Sequence, residues 1–354
     1  MGKPTNNVAK QKFHQIFRNL RLVSDAIGLD VLVPNYRISG RTVFLCLIVT
    51  NATFTTLYGC WRQRSDFVKL LESVPFMMMV VQAIHKVILR ISRPEPYRAL
   101  YELSCSIFEM LNENEANGIV MQGSLRLGCI LQRMLQILYA GVIFILVVVA
   151  IGLYLIFDVK FLAMPMYFPG LDENTDLGFL ILITMHIVML MVAICGYLTI
   201  DCHFLAMVIP FAGYVDGFQN EIIQLNLLLK QHKSNEVTIS NKLKRICRLH
   251  QMLIEYGSML EDHYTICHLV KIGSIVIGLI CAAFITLAYS FMRTKFVPAL
   301  LAAQLTQYCA MGTIITTKND QLIKDLYNMD WYLLTNSEAK LLVLMLQRAQ
   351  NAPQ

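Results

Sequence analysis

Six stretches with few or no charges divide the chain: residues 42–61, 67–89, 134–157, 177–200, 272–292 and 296–317. Each is roughly twenty residues long, the length a helix needs to cross the hydrocarbon core of a bilayer. The second is the weakest, with Lys69 and Glu72 near its start and Lys86 near its end. Long basic side chains can snorkel to the membrane interface, so it still reads as a span. The first 41 residues are polar and basic, and Phe13, Ile16, Phe17 and Leu20 form an amphipathic patch. That pattern predicts a surface helix on the membrane or on the protein.

The connections differ in character. Residues 90–133 are polar, contain Pro94 and Pro96, and predict a loop with helical extensions. Residues 158–176 carry four acidic residues against Lys160, and Pro165, Pro169 and Gly170 keep them irregular. Residues 201–267 begin apolar and contain Pro210, Gly213 and Gly217. Beyond Asn235 they become an amphipathic helix with Leu243, Ile246, Leu249, Leu253, Tyr256, Leu260 and Tyr264 on one stripe. Such a stripe outside the membrane needs cover, from the chain's own helices, from a second subunit, or from both. Arg293, Thr294 and Lys295 alone separate the last two spans, which predicts a tight hairpin.

Composition agrees with the pattern. Hydrophobic residues make up 56% of the 354 residues and charged residues 15%, against about 25% in soluble domains. The mean hydropathy is +0.53. The net charge of +6 points to basic loops facing an anionic leaflet, since no basic block of the nucleic-acid kind occurs. Leaving Lys271 at a helix entrance aside, alternate connections hold 23 Lys and Arg on one side and 6 on the other. The richer side faces the cytoplasm. Both termini are therefore expected in the cytoplasm, the opposite sense to a G-protein-coupled receptor. The first twenty residues show neither a signal-peptide core nor a myristoylation pattern.

Enzyme motifs are absent from the sequence: no H-E-x-x-H, G-x-S-x-G, P-loop or G-x-G-x-x-G. The ten cysteines contain no C-x-x-C pair and read as small core residues. Glu261, Asp262, His263 and His268 read as a polar helix end, because histidines five apart do not share a face. Asp201 and His203, at the end of the fourth span, are expected to meet cytoplasmic water. His186 is the one ionisable residue deep in a clean span, either a ligand contact or a histidine bonded to a neighbouring helix. Methionines such as Met79, Met185 and Met189 suit either an adaptable apolar pocket or an ordinary membrane core.

The C-terminal region orders its features in a recognisable way. Gln304, Leu305, Tyr308, Cys309 and Gly312 come first, then Tyr327 and Trp331 on one helix face. Thr335 and Glu338 fit a capping box, and Gln347, Arg348, Ala349, Gln350 and Pro353 follow. This succession resembles the C-terminal signature of insect odorant receptors, with Leu326 where the family often has a small residue. In the family such a proline leads into a last helix that lines an ion pore. The sequence stops at Gln354, at the foot of that helix. The expectation is accordingly an incomplete sequence or a truncated, non-conducting product.

The predicted fold is all-α: a polytopic helical membrane protein with six transmembrane helices. It divides into a cytoplasmic segment (1–41), a six-helix bundle (42–317) with a cytoplasmic helical extension at 213–267, and cytoplasmic anchor helices (318–354). The resemblance implies an odorant-specific subunit of a ligand-gated cation channel, probing small volatiles in the plasma membrane of olfactory sensory neurons. It implies a co-receptor partner in a tetramer, no cofactor, no metal and no nucleic acid. Depth in the bundle selects Phe76, Ile151, Tyr154, Ile183, His186, Phe284 and Gln304 as ligand-binding candidates. Leu253, Tyr256, Leu260, Tyr327 and Trp331 are the anchor and interface candidates. The alternative is a G-protein-coupled or other non-channel chemosensory receptor. A transporter would call for an internal repeat, and none is visible.

Overall fold

The computed structural model describes residues 5–162, 164–231, 236–289 and 297–350. Among them the chain is helical throughout, with turns between. The helices are α1 (Thr5–Ala26), α2 (Gly40–Arg62), α3 (Phe67–Ser92), α4 (Pro94–Asn112) and α5 (Glu115–Phe157). They continue with α6 (Asp176–Lys230), α7 (Glu236–Tyr289), α8 (Val297–Tyr327) and α9 (Asn336–Gln350). A single 3₁₀ turn, Trp331–Leu333, precedes α9.

The helix starts follow local chemistry. Ser39 and Thr42 form a reciprocal capping box on α2. The side chain of Asp66 accepts from two backbone amides of α3, Asn114 caps α5, and Thr175 caps α6. Pro94 opens α4, where its missing N–H is not needed. At α9, Glu338 reaches back to the amide of Thr335 at 3.1 Å, and the helix begins at Asn336. Asp158 ends α5 in the left-handed conformation, with φ 53°.

Five described helices, α2, α3, α5, α6 and α7, are long and apolar enough to cross a membrane. The 31-residue α8 has the length but not the apolarity, because Gln304 and Gln307 interrupt its first half. The short connecting residues 290–296, where the tight hairpin is expected, lie outside the described residues, as does Pro353.

Three rods run past the membrane. The 55 residues of α6 make a helix of about 80 Å, against a hydrocarbon core of about 30 Å. Past residue 200, where the sequence pattern ends the fourth span, α6 continues through Pro210. From Asp201 to Val215 every side chain is buried, so packing on all sides holds the rod together. Gly217 helps: a Cβ there would lie 3.1 Å from the Leu111 side chain, so α4 can approach closely. Likewise α5 joins the predicted loop helix to the third span, and α7 joins the amphipathic helix to the fifth.

The largest core lies in this extension, where α1, α4, α6, α7, α8 and α9 meet. The N-terminal patch is spent there, on the protein: Phe13, Ile16, Phe17 and Leu20 are buried, and Phe13 stacks on Phe108 at 4.3 Å. The α7 stripe is spent there too. Leu253, Tyr256 and Leu260 are buried within the chain, and the Tyr256 hydroxyl donates to the Met207 carbonyl at 2.9 Å. Those three are therefore corrected from interface to core residues, since a side chain enclosed by its own chain offers no surface to a second subunit. Tyr327 and Trp331 are exposed, at 74% and 56%.

Candidate functional site

The membrane half of the bundle holds a cavity of about 170 Å³. Its walls come from α2, α3, α5, α6 and α8, each contributing apolar side chains at helical spacing. On α3 these are Phe76, Met79, Val80 and Ala83, successive positions of one face. The connection between α5 and α6 adds Met164 and Met166.

That connection is folded into the bundle. The Tyr167 amide donates to the Thr55 carbonyl at 3.4 Å. Gln63 Nε2 donates to the Tyr167 hydroxyl at 3.0 Å, and the Arg62 guanidinium lies 4.7 Å above the Tyr167 ring. Arg62 also pairs with Glu173 at 3.1 Å. From below, His186 Nε2 meets the Met166 carbonyl at 3.0 Å. The loop thus gives the cavity its Met164 and Met166 side chains while the Met166 carbonyl and Tyr167 tether it.

One end of the cavity is polar, where Lys86, Tyr139, Tyr197 and Gln304 reach it. Behind this end sits Asp201, fully buried. Lys86 Nζ donates to Asp201 Oδ1 at 3.0 Å, and Lys271 Nζ donates to the same oxygen at 2.6 Å. The Tyr308 hydroxyl also donates to Oδ1, at 2.8 Å, while the Tyr139 hydroxyl donates to Oδ2 at 2.9 Å. One carboxylate therefore ties α3, α5, α6, α7 and α8 together between cavity and extension. The expectation that Asp201 and His203 meet water is corrected: both are buried, and His203 Nδ1 pairs with the Tyr264 hydroxyl at 2.5 Å.

The residues selected by depth separate into three groups. Phe76 and Gln304 line the cavity. Tyr154 and Ile183 join a separate apolar cluster around Phe179, and His186 holds the cavity loop by its backbone. Ile151 and Phe284 are 40% and 51% exposed on the bundle's outer surface. Of the other residues at that depth, Phe296 and the side chain of Tyr289 lie outside the described residues. Lys86, Tyr139, Tyr197, Met164 and Met166 are cavity residues that depth alone does not select. For Lys86 the available signal was its sign, opposite to that of Asp201 at a matching depth.

Comparison with known proteins decides the family. The family model described as 7tm Odorant receptor matches residues 66–354. The chain belongs to the 7tm odorant receptor family. Among curated relatives of this odorant receptor chain is the Drosophila melanogaster protein "Putative odorant receptor 83c". It is 19% identical over 364 residues, spanning 98% of this chain and 90% of that protein. The fold is also that of the insect olfactory receptor OR5 from Machilis hrabei. With it the chain shares a TM-score of 0.71 and 12% identity, covering 96% of this chain and 90% of that one. The same receptor in complex with eugenol gives a TM-score of 0.72 at 12% identity, covering 98% and 91%. This odorant receptor chain is thus a multi-pass helical membrane protein of a receptor family, not an enzyme. Within its odorant-receptor signature, Gln304 takes a place in the cavity wall and Tyr308 a place on Asp201.

Proposed function

We propose that this chain is the odorant-specific subunit of a ligand-gated cation channel formed with a co-receptor. A small volatile molecule binds in the cavity between α2, α3, α5, α6 and α8. The cavity carries the reading: it is almost wholly apolar and about 170 Å³ in volume. An apolar cavity of about 150 Å³ in another protein stays dry and binds benzene. A ligand of similar or slightly larger size, with one polar function, fits both the volume and the single polar end. The eugenol complex of the Machilis hrabei receptor supports the same assignment.

Binding favours one packing of the bundle over another and shifts the channel toward open. In this reading the termini and the extension face the cytoplasm, in line with the charge asymmetry of the loops. Residues 213–267, with the helices from 318 onward, form the anchor, and α1 packs against it. The exposed Tyr327 and Trp331 face a neighbouring subunit of a tetramer. The receptor works in the plasma membrane of olfactory sensory neurons.

The test has two arms. Purified chain in lipid nanodiscs is titrated with a panel of volatiles, and saturable binding of at least one is expected. Co-expression with a co-receptor then tests for currents evoked by the same volatile. Absence of saturable binding across a broad panel removes the ligand assignment. Binding without any current on co-expression removes the channel assignment alone.

A further inference from the structure

The polar end of the cavity has an uneven charge. An ammonium carries three N–H donors. That of Lys86 gives one to Asp201 and lies 4.6 Å from the centroid of the Tyr197 ring, and no second acceptor meets it among the described residues. Lys271 draws on the same carboxylate and also donates to the Tyr308 hydroxyl at 2.8 Å. Arg90 sits one turn further along α3, at 2% exposure, 4.8 Å above the Tyr97 ring. Its Nε and Nη2 have no hydrogen-bond partner among the described residues. Lys86 and Lys271 thus share Asp201, two formal positive charges against one negative. The buried acid of α3, Glu72, lies roughly 21 Å from Lys86 along the helix axis.

Buried charge that lacks a counter-charge is costly. Of these cations, Lys86 is the one that reaches the cavity. A ligand that brings an oxygen anion to it supplies the missing counter-charge. A hydrocarbon of the same shape supplies nothing.

We propose that the cavity selects ligands with an oxygen head group at one end, a carboxylate ahead of a hydroxyl and a hydroxyl ahead of a hydrocarbon, and that Lys86 reads that group. The proposal rests on the assignment of the cavity as the ligand site. It also gives the head group a mechanical consequence. Lys86 ties α3 to α6 through Asp201, while Lys271 holds the same carboxylate from α7. A ligand oxygen that takes over Lys86 loosens the α3 tie and leaves the α7 tie in place.

The experiment uses the whole chain in lipid nanodiscs at neutral pH, titrated with phenylacetate, 2-phenylethanol and ethylbenzene, which share one skeleton. A hydrogen bond to a charged group implies phenylacetate binding roughly tenfold or more tighter than ethylbenzene, with 2-phenylethanol between. In Lys86→Met the three affinities converge, and retained ethylbenzene binding shows that the cavity is intact. Lys86→Arg keeps the order. Equal affinities in the wild-type protein overturn the proposal without any variant, as does a head-group preference that survives in Lys86→Met. If none of the three binds, the head-group reading falls, and the ligand assignment falls with it only when the broad panel also shows no saturable binding. If ethylbenzene binds as well as phenylacetate, only the head-group reading falls.

Discussion

Lys86, Asp201 and Lys271 each stand at the end of an apolar run, where a charge is ordinarily assigned to the interface. Their side chains meet instead, with Lys86 8%, Lys271 3% and Asp201 0% exposed. Removing one partner of a buried ion pair strands the rest, at a cost of about 3–5 kcal/mol. Asp201→Asn leaves two lysines facing a neutral amide. The purified variant is expected to unfold several degrees below wild type in a thermal scan, or to fail to reach the membrane. A melting temperature matching wild type would show that Asp201 does not hold the bundle. Ala83 tests the cavity at the same scale. Ala83→Phe places a ring inside about 170 Å³ of lining. Overpacking costs about 1–3 kcal/mol, so ligand affinity is expected to fall roughly ten- to a hundredfold in a titration while the protein stays folded. Unchanged affinity would place the ligand elsewhere.

Among the elements, the connection from α5 to α6 departs most from its sequence pattern. Its prolines and Gly170 predict an irregular connection and say nothing of burial. Met164, Met166 and Tyr167 are nevertheless buried at 5–6%, because the Met166 carbonyl, the Tyr167 amide and the Tyr167 hydroxyl tether the connection to the bundle. Its close seat on α2 depends on Gly59, where a Cβ would lie 2.6 Å from the Pro165 carbonyl oxygen. Gly59→Val is expected to lift the loop. Hydrogen exchange should then rise across residues 158–175, with weaker ligand binding. Unchanged exchange there would mean that the loop tolerates the shift. The helix α7 shows the converse case. Its stripe was legible from period alone, but period does not say whose surface covers it. The structure covers it with the chain's own α6, which leaves Tyr327 and Trp331 as the exposed candidates.

Across the whole molecule, most of the buried apolar mass lies in the extension beyond the bundle. A buried histidine in it predicts a pH dependence. His250 on α7 is 1% exposed, its ring 6.0 Å from that of Phe218. Burial first, and Arg348 second, push its pKa down to about 4 from 6.5. The unfolded chain therefore takes up the proton before the folded one does. The stability held by neutral His250 is complete above pH 6.5 and is lost as pH falls toward 4, by roughly 3 kcal/mol in all. Thermal scans at pH 7.5 and 5 should show a larger drop for the wild type than for His250→Leu. Equal drops would assign the acid sensitivity to other groups.

Residue order alone is enough to read a helical membrane chain, and its ordered C-terminal residues pointed to the family. Hydropathy, charge asymmetry and period are properties of the chain alone, summed over many residues, so they survive without knowledge of the packing. Tertiary structure decided which helix faces turn inward, and with them the cavity. Ile151 and Phe284 match Phe76 in depth and apolarity but face outward, because rotation about the helix axis is set by neighbours. It also decided that three isolated charges form one buried network. Their partners lie 70 and 115 residues apart in sequence, and only the fold brings them within a hydrogen bond.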